Sequence, residues 1–221
     1  TIADQLIETI RTHLRLSERE ARKRAIQLLD DVGIPAASRR IDDYPHQFSG
    51  GMRQRVVIAL ALAAGPELVI ADEPTTALDV SVQAQIIDVL KEQCTQHGAS
   101  VILITHDMGV IAETADRVAV MYSGRIAEIG PVREIIQNAK HPYTSGLMGS
   151  IPTLAQEEDR LVQIPGSMPR LSDIPPGCPF NPRCDKVFDK CRVHRPSLIP
   201  VENREVACWL YEDTEAKGAA T

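Results

Sequence analysis

The sequence has 221 residues, 43% of them hydrophobic, and a formal net charge of −6 at pH 7. This length is enough to bury a hydrophobic core and to form one or two domains. The acidic balance argues against a nucleic-acid-binding surface, which is usually basic. The longest uninterrupted apolar run, residues 56–64, is too short to span a bilayer, and the first residues lack the features of a signal peptide. We therefore expect a cytoplasmic protein that binds no nucleic acid.

Two helices are predicted at the start of the chain. Apolar residues recur at helical spacing over residues 1–15, which indicates a helix with one apolar stripe. A capping box at residues 17–20 begins the second helix, and Gly33 followed by Ile34-Pro35 ends it.

Residues 48–55 read Phe-Ser-Gly-Gly-Met-Arg-Gln-Arg and predict a helix that begins after a polar glycine turn. Ser49 is a good N-cap residue, and residues 56–64 supply the apolar body of the helix. The first turn of a helix has unpaired N–H groups and a partial positive charge, and glycines allow a phosphate to approach the backbone. Ser49, Gly50 and Gly51 are therefore a candidate anion site. An ordinary capped helix is the alternative for this segment taken alone.

Residues 68–73, Leu-Val-Ile-Ala-Asp-Glu, form an apolar run that ends in two carboxylates. The run is typical of a buried parallel strand. Asp72 and Glu73 lie where the strand ends, and ligands gather at this end of the strands in α/β sheets. Adjacent residues of a strand point to opposite faces, so the two carboxylates need different partners. One suits the hydration shell of Mg²⁺ and the other suits polarising a water molecule. Simple capping of the following helix is the alternative, and residues 74–79 argue against it because the chain passes through an irregular turn before that helix begins.

The remaining elements of this part of the chain follow from periodicity and turn residues. We predict a helix over residues 81–96, strands over 101–104, 117–122 and 125–129 with a hairpin turn at Ser123-Gly124, a short helix over 131–138, and a frayed polar tail over 212–221.

Together these segments resemble the nucleotide-binding domain of ABC-type ATPases. The matching segments are, in chain order, the signature loop at residues 49–52, the Walker B strand with its catalytic glutamate at 68–73, the D-loop at 77–79 (Ala-Leu-Asp) and the switch-histidine loop at 105–107 (Thr-His-Asp). Four motifs in the order of the family are highly specific. Phe48 and Met52 replace the usual Leu and Gln, and both variants are familiar in the peptide-importer branch.

The resemblance implies a role for each matching residue. Asp72 would organise Mg²⁺ through its water shell, Glu73 would polarise the attacking water, and His106 would contact the γ-phosphate of ATP. Asp79 would communicate across a subunit interface. Residues 49–51 would face the nucleotide held by the opposing subunit, so hydrolysis would need a dimer, either homomeric or with a second ATPase.

No G-x-x-x-x-G-K-[ST] loop occurs in the sequence, although that loop holds the nucleotide phosphates in P-loop enzymes. By resemblance, Thr1 falls just after the Q-loop, so the Walker A strand and the aromatic adenine contact are expected upstream. The expected fold is thus α/β, a partial P-loop ABC-type ATPase core with a helical subdomain in an N-terminally truncated subunit. Because an inner strand would be missing, we expect the isolated chain to be marginally folded and not to bind ATP in the normal way.

The composition changes near residue 140, where Pro and Gly become frequent. Residues 141–144, His-Pro-Tyr-Thr, resemble the motif that opens the C-terminal extension of oligopeptide and dipeptide importer ATPases. Nickel and glutathione importers share this extension. We expect residues 1–130 to be part of the ATPase domain, with 1–66 mostly the helical subdomain, and 131–221 to be a small irregular extension.

Four of the five cysteines lie in this extension, namely Cys178, Cys184, Cys191 and Cys208. Clustered thiols in a cytosolic protein more often bind metal than form disulfides, and four thiolates suit zinc or an iron–sulfur cluster. The absence of a C-x-x-C pair disfavours a zinc ribbon. Some relatives with this pattern carry a 4Fe–4S cluster, which the resemblance favours here. Free structural thiols are the alternative.

The resemblance therefore implies the ATP-hydrolysing subunit of a peptide ABC importer at the cytoplasmic face of the inner membrane. Its partners would be membrane permease subunits, a second ATPase subunit and, indirectly, a periplasmic or extracellular peptide-binding protein. A non-transport ABC ATPase is one alternative, which the extension and the acidic charge disfavour. An inactive metal-binding remnant, or half of a split subunit, is another, and the missing phosphate loop favours it.

Overall fold

The computed structural model of the chain describes residues 1–76, 78–150 and 163–212, and its contacts divide the chain after Val110 into two units. The division predicted at residue 130 stays a prediction. Among the described residues, no helix combines the length and the apolar character needed to cross a membrane. The predicted tail beyond Glu212 lies outside the described residues.

The first unit is mostly helical and contains two strands. Its elements are α1 (Ile2–His13), α2 (Glu18–Asp31), α3 (Ala37–Arg40), α4 (Gly50–Leu62), β1 (Leu68–Asp72), α5 (Val80–His97), β2 (Ser100–Ile104) and α6 (Met108–Thr114), which the division crosses. A 3₁₀ turn at Pro45–Gln47 precedes α4. The helices and strands predicted for residues 1–104 are confirmed.

The helix ends follow from local chemistry. Thr1 and Ser17 form capping boxes with Asp4 and Glu20, which satisfies backbone N–H groups at the starts of α1 and α2. Gly98 ends α5 in the left-handed conformation, with φ of 67°, which glycine adopts without a steric penalty. The apolar faces of these helices form one core, whose most deeply buried side chains include Leu6, Ile10, Leu29, Leu62 and Ile86.

β1 and β2 pair in parallel, with Leu68 opposite Ser100 and Asp72 opposite Ile104. The parallel pairing was predicted, but the prediction that β1 is a buried strand is wrong. Val69 is its one buried residue, and Ile70 is 63% exposed. The physical reason is that the sheet has two strands among the described residues, and only its inner face packs on the helical core through Val69 and Ala71.

The second unit contains a four-stranded antiparallel sheet in the order β3-β4-β6-β5. Its elements are β3 (Arg117–Tyr122), β4 (Arg125–Pro131), α7 (Val132–Gln137), α8 (Pro142–Gly149), α9 (Asp189–Val193), β5 (Ile199–Val201) and β6 (Arg204–Val206). The predicted β3–β4 hairpin and the helix after it are confirmed. The described part of the extension is largely irregular, as predicted, but it also adds two strands to the sheet. Each of these strands has three residues, which is too short to show an alternating pattern.

A buried ion network joins the sheet to the residues after α7. The side chains of Arg204 and Glu128 are 0% exposed, and the Arg204 Nη1 lies 3.4 Å from Glu128 Oε1. Arg204 also donates to the carboxylate of Glu134 and to the backbone carbonyl of Asn138. Glu128 in turn accepts from the backbone N–H of His141 at 2.9 Å. Removing one member of a buried pair leaves an uncompensated charge, so the network is sensitive to single substitutions.

We expect Arg204→Met to destabilise the second unit by about 3–5 kcal/mol, because Glu128 would stay buried without its cation. Unfolding in urea can be followed by the fluorescence of Trp209, the sole tryptophan, which lies in this unit. Arg133→Met is the matched control, because Arg133 is exposed on α7. A loss of stability equal to that of the control would show that the pair has no stabilising role.

Candidate functional site

The carboxyl ends of β1 and β2 bring together the predicted catalytic residues. Glu73 follows β1 directly, and His106 follows β2 after one intervening residue. The backbone N–H of Glu73 donates to the carbonyl oxygen of Ile104 at 2.9 Å, which continues the parallel pairing beyond Asp72. The two strands therefore end side by side, and the side chains that follow them lie at one edge.

Glu73 and His106 form a hydrogen-bonded pair. His106 Nδ1 lies 2.8 Å from Glu73 Oε1, and the hydroxyl of Thr76 donates to Glu73 Oε2 at 3.3 Å. The His106 side chain is 86% exposed and that of Glu73 is 36% exposed. The hydrogen bond from His106 to Glu73 raises the pKa of the imidazole above its ordinary value, and the charges of Glu73 and Asp107 add to this effect. The exposed ring can thus reach a bound ligand while it stays in contact with the carboxylate.

The backbone of Glu73 has an unusual conformation. Its φ is 47°, in the left-handed region that residues other than glycine adopt infrequently. The hydrogen bond to Ile104 holds the residue in this conformation, and the N–H of Thr76 donates to the Glu73 carbonyl at 3.2 Å. Such outliers concentrate at functional sites, where neighbouring structure maintains them.

Asp72 and Asp79 lie on either side of the turn after β1. Asp72 is exposed at the end of the strand, and its carboxylate has no ion pair within the described ranges. An exposed carboxylate without an ion pair can accept hydrogen bonds from the water molecules that surround Mg²⁺. Asp79 occupies the N-cap position of α5 without a side-chain capping bond. Ala77, the first residue of the predicted D-loop, lies outside the described residues.

The predicted anion site lies at the start of α4, a helix of 13 residues. Ser49 is the N-cap residue, and its Oγ accepts a hydrogen bond from the N–H of Met52 at 3.4 Å. Ser49 and Gly50 are exposed. A Cβ atom on Gly51 would lie 2.8 Å from Cγ1 of Val82, so this glycine allows the start of α4 to approach α5 closely.

Two arginines that the motif analysis did not identify hold the turn before α4. Arg53 donates to the carbonyl of Phe48 at 2.9 Å, and the guanidinium of Arg40 lies 4.6 Å from the centroid of the Phe48 ring. Arg53 lies inside the quoted motif, so its position was a usable signal. Arg40 lies outside this motif, and no sequence signal indicated its contact with Phe48. Thr76, which binds Glu73, is also a residue that sequence reasoning missed, although it adjoins the Walker B segment.

The four cysteines predicted as metal ligands line one small cavity in the second unit. Burial raises the pKa of the thiols of Cys178 and Cys184, and it raises that of Cys208 to about 11, so these thiols are protonated near neutral pH. Across the described residues, no group of three or more His, Cys, Asp or Glu side chains is arranged to hold a metal ion. The prediction of a 4Fe–4S cluster or zinc therefore has no support in the described residues. The cysteines are free thiols in this structure.

Two sequence families match separate parts of the chain. The family described as ABC transporter matches residues 2–76, which contain the signature turn and β1. The family described as the C-terminal region of oligopeptide/dipeptide transporters matches residues 127–191. The two matches cover Asp72, Glu73 and most of the second unit.

Two curated relatives match almost the whole chain. The oligopeptide transport ATP-binding protein AppD of Bacillus subtilis is 48% identical over 98% of this chain and 66% of its own length. The dipeptide transport ATP-binding protein DppD of the same organism is 50% identical over 99% of this chain and 65% of its own length. The chain therefore spans about two thirds of the length of these relatives.

A solved structure is similar in fold. The ATP-binding cassette MJ0796, in a dimeric post-hydrolysis state bound to ADP and Pi, superposes with a TM-score of 0.52 at 32% identity. The match covers 60% of this chain and 57% of the cassette.

We expect Glu73→Gln to lower the pKa of His106 towards its ordinary value, because the substitution removes the carboxylate charge and leaves a neutral oxygen as the hydrogen-bond acceptor. The imidazole would then lose its proton at lower pH, which an NMR titration of the histidine ring signals can measure. Glu67→Gln is the control, because Glu67 is exposed before the opposite end of β1. An unchanged His106 titration in Glu73→Gln would show that the two side chains do not interact in solution.

Proposed function

We propose that this chain, which belongs to the ABC transporter family, supplies the catalytic carboxylate and the catalytic histidine of a subunit that hydrolyses ATP to drive peptide import. Within the family, it belongs to the branch of oligopeptide and dipeptide transport ATP-binding proteins. The observation that carries this proposal is the Glu73–His106 pair at the carboxyl ends of two parallel strands. In α/β sheets this edge is where ligands bind.

Glu73 acts on the water that attacks the γ-phosphate. One of its carboxylate oxygens accepts from His106 and the other accepts from Thr76, so the carboxylate has a fixed orientation. A carboxylate oxygen has two lone pairs, so each can accept a further hydrogen bond from a water molecule. Orientation of the water and partial removal of its proton are the contributions expected of a general base.

His106 contacts the phosphate through its second ring nitrogen. When Nδ1–H donates to Glu73, the neutral ring has a lone pair at Nε2 and repels phosphate oxygens, whereas the imidazolium donates at both nitrogens. The raised pKa of His106 favours the imidazolium. This form places a positive charge where negative charge develops in phosphoryl transfer.

Asp72 holds the water shell of Mg²⁺, in keeping with its exposed carboxylate at the end of β1. Mg²⁺, when bound, neutralises charge on the phosphates. Ser49, Gly50 and Gly51 present the first turn of α4 to the phosphates of a nucleotide held by another subunit, because unpaired N–H groups and the helix dipole favour an anion there. Asp79 communicates across the interface between the two subunits. The dimeric form of the MJ0796 cassette supports a paired arrangement.

The phosphate-binding loop of the site comes from outside the 221 residues. No G-x-x-x-x-G-K-[ST] segment occurs among them. Backbone N–H groups and the lysine of such a loop hold the β- and γ-phosphates in P-loop enzymes, and no other segment of the sequence has this combination.

Peptide is the transported solute, and the chain works with membrane permease subunits, a second ATPase and a peptide-binding protein at the cytoplasmic face of the membrane. The support is the match of residues 127–191 to the oligopeptide/dipeptide transporter region and the names of the two relatives. Residues 141–144, His-Pro-Tyr-Thr, lie inside this match and form the start of α8.

The proposal is tested on the assembly isolated from native membranes through an affinity tag on this chain. We expect the assembly to hydrolyse ATP, and Glu73→Gln to lower the rate by about 10²–10⁴-fold, which is the usual contribution of a positioned general base. Glu67→Gln is the matched control and keeps the rate. Binding of ATP should survive in Glu73→Gln, because the carboxylate acts on the water and not on the nucleotide.

Two results would contradict the proposal. The first is an assembly without ATP hydrolysis, and the second is a Glu73→Gln assembly that hydrolyses ATP as fast as the Glu67→Gln control. Intact mass spectrometry of the same sample identifies the polypeptide that carries the phosphate-binding loop.

A further inference from the structure

The second unit contains a larger cavity beside the one lined by the four cysteines, with a volume of about 540 Å³. We propose that this cavity is a binding site for a small organic carboxylate with an aromatic or aliphatic body. The residues that carry the proposal are Tyr122, Arg125, His141, Phe180, Arg195 and Leu198, all of which line the cavity. This site is separate from Glu73 and His106, which belong to the first unit.

The walls of the cavity are apolar and held in place by ring contacts. The rings of Tyr122 and Phe180 meet edge to face with centroids 5.3 Å apart, and both residues are 3% exposed. Tyr143 packs against both rings from α8. Leu198, which is 38% exposed, adds an aliphatic surface. Preformed apolar walls of this kind suit the body of a small ligand.

The charged groups at the cavity are cationic. Arg125 and Arg195 both line it and are exposed, and no Asp or Glu is found among its lining residues within the described part of the chain. Arg125 has no hydrogen-bond or ion-pair partner in that part, and Arg195 has only a long hydrogen bond, 3.4 Å, from Nε to the carbonyl of Gly177. Two arginines without carboxylate partners at one cavity fit an anion.

A buried histidine adds a neutral donor. His141 is 3% exposed, and its Nδ1 accepts from the N–H of Tyr143 at 3.0 Å. Burial lowers the pKa of His141 to about 4, so the ring is neutral near pH 7 and the proton is on Nε2. This N–H donates no hydrogen bond to the described residues. His141 lines the cavity, so the N–H can donate to a ligand oxygen there.

The size and polarity of the cavity select the class of ligand. A volume of about 540 Å³ lies within the range of pockets that bind small molecules, about 300–1,000 Å³. A carboxylate matches the planar donor pair of an arginine. A carboxylate has one negative charge, whereas a phosphate monoester has nearly two near pH 7. The free energy needed to move the ligand from water into an apolar pocket is therefore smaller for the carboxylate.

The cavity shares Cys178 with the cysteine-lined cavity, together with His141 and Phe180. A bound ligand would therefore cover the Cys178 side chain and slow its reaction with an alkylating reagent. Cys94 provides an internal reference, because it is buried in the first unit and does not line either cavity.

The test uses the full chain and two probes that differ in one group, N-acetyl-leucyl-phenylalanine and its C-terminal amide. We expect calorimetry to show saturable binding of the acid and binding of the amide that is at least about tenfold weaker, because the amide loses the charged hydrogen bonds. Arg125→Gln should lower the affinity for the acid to that for the amide, and it should leave the affinity for the amide unchanged. Arg133→Gln is the matched control, since Arg133 is exposed in the same unit and does not line the cavity.

The second readout is the alkylation of Cys178 by iodoacetamide, followed by peptide mass spectrometry. The acid should slow the reaction of Cys178 at the concentrations that saturate the calorimetric signal, and it should not change that of Cys94. Absence of saturable binding overturns the proposal. Equal binding of acid and amide, or binding that is the same in Arg125→Gln and Arg133→Gln, also overturns it, because the cavity would then bind apolar groups without recognising the carboxylate.

Discussion

The parallel pairing of β1 with β2 is the constraint on which the proposed catalytic site depends. Glu73 and His106 are 33 residues apart in the chain and meet because both strands end at the same edge in a register that sets Asp72 opposite Ile104. A slip of one residue would turn the side chains of one strand to the other face of the sheet. The hydrogen bond from Glu73 to Ile104 opposes such a slip and holds the left-handed backbone of Glu73.

The β1–β2 pair packs against the helical core through only one of its faces. Val69 contacts the helical core, while Ile70, Ile102 and Ile104 are 63%, 49% and 47% exposed. A sheet of two strands is marginally stable in water, and exposed apolar strands invite pairing with other chains. Any structure that covers this face would therefore stabilise the register and, through it, the distance between the carboxylate and the imidazole. Stability and the geometry of the Glu73–His106 pair are coupled at this point of the fold.

The sequence was informative where the signals are local. Capping residues such as Ser17 and Ser49, the glycine after α5, and the strand that ends in Asp72 could all be read from short segments. β5 and β6 could not, because three-residue strands carry no periodicity and form only when β4 supplies an edge. The contact between Arg204 and Glu128 joins residues 76 apart, and no local pattern indicates it. The exposure of β1 depends on how many strands surround it, which its own residues do not encode.

The buried network of the second unit positions the cavity as well as stabilising the sheet. A buried ion pair is often no more stabilising than apolar residues of the same size, so its value lies in the geometry that it imposes. Arg204 holds the carbonyl of Asn138, and Glu128 accepts from the backbone N–H groups of Lys140 and His141. These bonds fix the backbone that begins α8 and therefore the ring of His141, which lines both cavities. These contacts therefore keep Nδ1 of His141 in place as the acceptor that caps α8, and Nε2–H is the donor that the proposed ligand would meet.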